Sequence, residues 1–190
     1  MDNSDKLVRF FETDYPLNKE GLAELVSSFK PLSIKKGSLL LKEGDYENQL
    51  RFMVSGVVRE YYSSDAKEIN INFYTTAQFI TDFSAFKNGI STRKYQEILS
   101  DVEIFVLDKE IFTRLLEKYQ CGKSFIELTF QRLLEKKELF EYNRLTKQPV
   151  ELYKIILEEH PDWFQNVPQY HIASFLGVTP ETLSRIRKRI

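Results

Sequence analysis

Cysteine is nearly absent from this 190-residue chain. Cys121 stands alone, so neither an intrachain disulfide nor a thiolate-only metal cluster can form, and it reads as an ordinary helical residue rather than a redox switch. Histidine is almost as scarce. His160 and His171 lack a third ligand at metal-binding spacing, and no metal is expected. No apolar run approaches the ~20 residues that cross a bilayer. The first residues, Met1 to Asp5, are polar and acidic, unlike a secretory signal. A cytoplasmic location without membrane contact is therefore expected. The chain also lacks a Ser/His/Asp order, a glycine-rich phosphate cradle and a spaced histidine cluster, so catalysis is not expected. Neither sign of charge is in excess: 27 Lys+Arg against 28 Asp+Glu leave a formal net charge of −1. A uniformly basic nucleic-acid coat is excluded, and any DNA affinity has to come from local charge.

Local charge is present at the end of the chain. Tyr170 to Arg189 reads as a short helix, a tight turn at Gly177 and a second helix. Thr179 can cap that helix through its hydroxyl, Pro180 suits the first helical position, and Glu181 complements the positive helix end. Leu183, Ile186 and Ile190 then share one side, against the small apolar face of Ile172, Ala173 and Leu176. Glu181, Ser184, Arg185 and Lys188 share the other. Over this stretch Arg185, Arg187, Lys188 and Arg189 oppose Glu181 alone. Two short helices around a glycine turn, the second offering polar side chains outward, is how a helix-turn-helix presents a recognition helix to the major groove. A basic amphipathic helix with no DNA role has the same charge pattern but does not require the cap and the turn. The DNA-binding candidates are Thr179, Glu181, Thr182, Ser184, Arg185, Arg187, Lys188 and Arg189.

The hydrophobic period changes twice upstream. Residues 5–29 are apolar at helical spacing up to Pro31. From Ile34 to Leu107 the period is two. Leu50, Phe52 and Val54 alternate before a turn at Ser55-Gly56, and Val57, Arg59 and Tyr61 after it; Ile69, Ile71 and Phe73, then Val102, Ile104 and Val106, follow suit. Turn signals at Gly37, Gly44, Ser63-Ser64-Asp65 and Asn88-Gly89 predict an antiparallel barrel or sandwich. From Lys109 to Leu145 the period returns to 3.6, with Gly122 dividing a short helix from a long one. The stripe Phe125, Leu128, Leu133, Leu139 suits either a copy of the same helix or the chain's own barrel. Lys147-Gln148-Pro149 marks a boundary, after which a helix runs from Val150 to Glu159. The division expected is 1–108, 109–147 and 148–190.

In this order, and with Ile34-Lys35-Lys36-Gly37, Lys42-Glu43-Gly44-Asp45, Phe52 to Arg59, the Asp101–Asp108 strand and the Glu181-Thr182…Arg185 core, the chain resembles the bacterial cyclic-AMP receptor / fumarate-nitrate regulator (Crp/Fnr) superfamily. The resemblance covers nearly the whole chain. It implies an α+β fold: an N-terminal antiparallel β-roll of the cyclic-nucleotide-binding, double-stranded β-helix kind, a long dimerisation helix, and a C-terminal helix-turn-helix of winged type, its wing cut short at Ile190 with fewer phosphate contacts. It implies base reading by Glu181 and Arg185, since Arg bonds guanine O6 and N7 together and Glu accepts from cytosine N4. Pro180 stands where cyclic-AMP receptors carry an arginine, so the target site should differ.

The family's ribose-binding Gly-Glu pair and phosphate-binding Arg-Ser/Thr pair fall on Thr81-Asp82 and Thr92-Arg93. Asp82, Thr92 and Arg93 are the pocket candidates. Arg93 sits one place late, which on a strand turns it to the opposite face unless a gap restores it. Cyclic AMP binding is not expected, no cofactor is assigned and the effector is open; without clustered cysteines an iron–sulfur sensor is excluded. The implied partners are double-stranded DNA, a second copy of the chain and RNA polymerase. Two functions fit: a homodimeric regulator reading a palindrome, or a ligand-binding module acting through protein partners without specific DNA binding.

Overall fold

The computed structural model describes residues 3–14, 18–65, 67–120 and 122–190, leaving aside the side chains of residues 3, 13, 14, 122–126, 129, 130 and 133. Two helices, α1 (Asn3–Asp14) and α2 (Lys19–Ser28), replace the single helical stretch expected at the N-terminus. Asn18 caps α2 by accepting from the Gly21 N–H at 2.7 Å. Six strands follow: β1 (Lys30–Ile34), β2 (Leu39–Leu41), β3 (Gln49–Ser64), β4 (Lys67–Tyr74), β5 (Gln78–Phe79) and β6 (Tyr95–Asp108), with α3 (Phe83–Asn88) before β6. Then come α4 (Lys109–Lys118), α5 (Gly122–Thr146), α6 (Pro149–Glu159), α7 (Pro161–Asn166), α8 (Gln169–Leu176) and α9 (Pro180–Arg187). Strand order is β1-β6-β3-β4, with β2 on β6 and β5 on β3. The sheet is antiparallel, as expected, but it is not closed into a barrel. The break between α4 and α5 is carried by Gln120, whose φ of 51° is left-handed and ends the first helix.

The expected turn at Ser55-Gly56 is absent. Strand β3 runs straight through, paired with β6 from Gln49↔Asp108 to Tyr61↔Tyr95, and the register slips around Gly56. Gly56 has φ 101°, and a Cβ there would stand 2.5 Å from the Asp101 carbonyl oxygen. The position is therefore a bulge that requires glycine. Its effect is on parity. Before it, Leu50, Phe52 and Val54 face the N-terminal helices, with Phe11, Leu25 and Phe112. After it, odd-numbered Val57 takes that outer side, packed with the C-terminal helices, while Val58 joins Met53, Ile98 and Ile104 in the sheet interior. Across these register slips the inward-facing parity of β3 switches.

The outer core is aromatic. Phe10, Phe52 and Phe79 meet edge to face, with ring centroids 5.0 to 5.4 Å apart. At the other end, Phe73 of β4 is buried among α7 and α8, 5.0 Å from Trp163 and 5.8 Å from Phe175. Phe140 of α5 joins from the opposite side, 5.1 Å from Phe175. Among the described residues no helix is long and apolar enough to cross a membrane.

Gly56→Ala combines a left-handed φ with a clash against backbone. We expect a loss of about 2–4 kcal/mol of unfolding free energy, read as a lower urea midpoint at unchanged m.

Candidate nucleic-acid interface and β-roll interior

The turn between α8 and α9 is built as the sequence predicts. Gly177 ends α8 at φ 69°, Thr179 is the N-cap of α9 with its Oγ1 accepting from the Thr182 N–H at 3.2 Å, and Pro180 takes the first helical position. Leu183 and Ile186 are buried against Ile172, Ala173 and Leu176. Ile190 departs from the expectation. It lies past the end of α9 and is 54% exposed. On the outer face Glu181, Ser184, Arg185, Arg187, Lys188 and Arg189 are exposed, and Thr182 is half-buried. Arg185 donates to Thr182 Oγ1 at 3.1 Å, which holds its guanidinium along the helix. Glu181 is held below the usual carboxylate range by its own backbone N–H, then by the Thr179 hydroxyl, so it stays an acceptor.

Helix α8 is fastened to the outer face of β4. The Asn70 N–H donates to Ser174 Oγ at 3.2 Å, and Ser174 Oγ donates to the Glu68 carbonyl at 3.1 Å. Asn70 Nδ2 donates to the His171 carbonyl at 3.4 Å and faces His171 Nδ1 at 3.3 Å. That arrangement assigns Nδ1 as acceptor in a neutral ring. Arg59 completes the contact, donating to Glu97 at 2.7 Å and to Glu68 at 2.6 Å, with its guanidinium 3.9 Å over the Tyr61 ring. Burial, and after it the Arg59 charge, lower the His171 pKa to about 4. Thr75 also bonds Asp162 of α7.

Inside the β-roll the pocket candidates part company. Asp82 and Thr92 are buried and joined, Thr92 Oγ1 donating to Asp82 Oδ2 at 2.6 Å. Arg93, in the extended segment just before β6, is exposed. Thr92, Lys94, Gln96 and Ile98 share the inward parity, and the cation that turns in is Lys94. Its ammonium lies 3.2 Å from Glu60 Oε1 and 3.5 Å from Asp82 Oδ1. Glu60 is further held by the Tyr74 hydroxyl at 3.1 Å and by Gln96 Nε2 at 2.8 Å. Burial works against the Lys94 charge, but Glu60 and Asp82 outweigh it and raise the pKa. Sequence reasoning missed Glu60, Lys94 and Gln96. The even spacing from Thr92 to Ile98 carried the signal for two of them. Nearby, Arg51 and Glu47 form a second buried pair.

On the long helix, Leu128 turns to the protomer's own core, packed with the N-terminal helices. Leu139 is exposed. The side chains of Phe125 and Leu133, like Cys121, lie outside the described residues. Leu134, Tyr142 and Leu145 are exposed too, Leu145 at 77%.

Residues 31–119 match the cyclic nucleotide-binding domain family. No curated protein sequence matches the chain. Among solved structures, FixK2 from Bradyrhizobium japonicum is similar at TM-score 0.71 and 18% identity, over 85% of this chain and 83% of that one. A CooA mutant from Carboxydothermus hydrogenoformans is similar at TM-score 0.66 and 18% identity, over 93% and 86%. CLP of Xanthomonas campestris, described as a c-di-GMP responsive global regulator, gives TM-score 0.68 and 13% identity, over 90% and 91%. The resemblance seen in the sequence thus holds at the level of the whole architecture.

The buried neutral His171 has a pH consequence. Its folded pKa, about 4, lies below the ordinary ~6.5, so stability is complete above pH ~6.5 and falls as pH drops from there toward 4. On the order of 2–3 kcal/mol is expected to be lost across that window, and His171→Gln should remove that part of the slope. Urea unfolding at pH 7, 5.5 and 4.5 measures it; an identical slope in the variant contradicts the assignment.

Proposed function

We propose that this chain, a cyclic-nucleotide-binding β-roll joined to a helix-turn-helix, is a DNA-binding transcription regulator of the Crp/Fnr type. The observation that carries the reading is α9 itself: a capped helix whose inner face is locked by Leu183 and Ile186 and whose outer face offers Glu181, Ser184, Arg185 and Lys188 to solvent. Thr179 and Thr182, at the helix start, are placed to meet a phosphate or a base edge, with Arg187 and Arg189 supplying backbone charge. With a net charge of −1 overall, this local surplus is what draws the protein to DNA. The role is regulatory rather than catalytic.

The protein acts as a homodimer, since two recognition helices about one helical turn apart read a palindrome. Leu134, Tyr142 and Leu145 lie within about 80° of one another around α5, and with Leu139 they form the exposed face that a second copy covers. Phe140 is committed to the opposite face, against Phe175. A subunit contact on α5 therefore bears directly on the helix-turn-helix through Phe140. Function follows from that connection: a change in how the long helices pack shifts the spacing of the recognition helices.

Arg185→Ala is expected to weaken specific binding by roughly 1–3 kcal/mol and relax preference at one base pair per half-site. Arg187→Ala should weaken binding to all sequences alike and flatten its salt dependence. Fluorescence anisotropy on selected and random duplexes separates the two; undiminished selective binding by Arg185→Ala refutes the recognition-helix assignment. Light scattering should give twice 22.5 kDa for the wild type. Leu134→Asp combined with Leu145→Asp should give the single mass and lose DNA affinity. A wild type that is monomeric at micromolar concentration refutes the dimer.

A further inference from the structure

The β-roll interior has the wrong charge for a cyclic phosphate. Glu60, Asp82 and Lys94 leave one uncompensated carboxylate in a buried setting, and an incoming anion would meet it across a low dielectric. What the interior offers is acceptors. Glu60 Oε1 and Asp82 Oδ1 face the Lys94 ammonium, and Gln96, bonded to Glu60, carries a buried acceptor of its own. Gln96 is fully buried, and its Nε2 donates both to Glu60 Oε2 at 2.8 Å and to the Ile80 carbonyl at 2.6 Å. Those two acceptors fix the amide's orientation, so Gln96 Oε1 must accept, and among the described residues nothing donates to it. Leaving a buried acceptor unmet is costly.

A primary ammonium has three N–H donors and no acceptor, which suits a setting of two carboxylates and an amide oxygen without a donor. Lys94 supplies one imperfectly. Its contacts of 3.2 and 3.5 Å exceed the ~2.8 Å of a good charge-assisted bond, and the side chain keeps 26% of its surface in solvent. It reaches in from the rim and can withdraw. We infer that the β-roll interior is a site for a primary ammonium group, held in this structure by the chain's own Lys94, and that the ligand class fitting it is an amine rather than a cyclic nucleotide. The inference deepens the regulator reading by naming the chemistry its sensor domain accepts. Displacing Lys94 frees a charge at the rim and rearranges Glu60, the neighbour of Arg59 on β3.

Lys94→Ala removes from the side chain what n-propylammonium restores, and a differential scan tests the exchange. Millimolar n-propylammonium is expected to raise the melting temperature of Lys94→Ala by about 3–5 °C at ten times its Kd, relative to sodium at equal ionic strength. It should leave the double variant Glu60→Gln/Lys94→Ala unmoved and shift the wild type only at higher concentration, where the amine outcompetes the tethered Lys94 for the same carboxylates. If Lys94→Ala is unfolded alone, the amine must recover its folded circular dichroism where sodium does not. Absence of either response overturns the site, as does an equal response in the double variant. Cyclic AMP should give no heat with the wild type at tens of micromolar; a micromolar 1:1 isotherm overturns the ligand class. Anisotropy of the wild type on DNA runs in parallel. Loss of DNA binding there refutes the regulator reading and leaves the ammonium site standing, whereas failed rescue with DNA binding intact refutes the site alone.

Discussion

The antiparallel ladder between β3 and β6 is the element on which every other part of the molecule is mounted. Gln49 to Tyr61 of β3 lie along the whole of β6, and the register slips on either side of Gly56. Its outer face is covered at one end by α1, α2 and α4 and at the other by the C-terminal helices; its inner face encloses Met53, Val58, Ile98 and Ile104. Because β3 is buried on both sides of the pleat over Leu50–Val54 and Val57–Tyr61, those side chains have no solvent option. The bulge alone decides which of them face inward.

That decision places two opposed tasks on consecutive residues. Arg59 points outward, tied to Glu97 and Glu68 and bordering the Asn70–His171 contact with α8. Glu60 points inward and holds Lys94. The segment that holds Lys94 in the interior and the segment that borders the α8 contact are one stretch of backbone. No long relay is needed between them.

The two ends of the molecule are held by different physics. At the N-terminal end the glue is aromatic and apolar, Phe10, Phe11, Phe52 and Phe79 in edge-to-face contact, which is insensitive to pH and salt. The contact between β4 and the C-terminal helices is mixed. Phe73 supplies burial, while His171, Asn70 and Ser174 supply bonds whose donors and acceptors depend on a neutral imidazole. The second contact is thus the one that protonation of His171 weakens, while the first has no titratable group in it.

Much of this was legible in the residues alone. The capped recognition helix, the glycine turn, the antiparallel sheet and the divided long helix follow from local rules: Thr179 before Pro180, Gly177 after Leu176, period two giving way to 3.6. Such signals are carried by neighbours in sequence, so one chain suffices to read them. The bulge at Gly56 was read as a turn, because a glycine between two alternating runs serves either purpose and only the pairing of β3 with Asp101 and Val102 decides. The charge inside the β-roll was invisible for the same reason. Arg93 and Lys94 are adjacent cations in the segment leading into β6, and only the folded position of that segment beside Glu60 and Asp82 selects Lys94 for the interior. Glu60 and Asp82 lie 22 positions apart and meet only when the sheet folds over. The sequence by itself determined the elements and the recognition helix, whose causes are local. The tertiary structure alone decided which charges meet in the sheet interior, because a buried charge has meaning only beside the groups that share its low-dielectric surroundings.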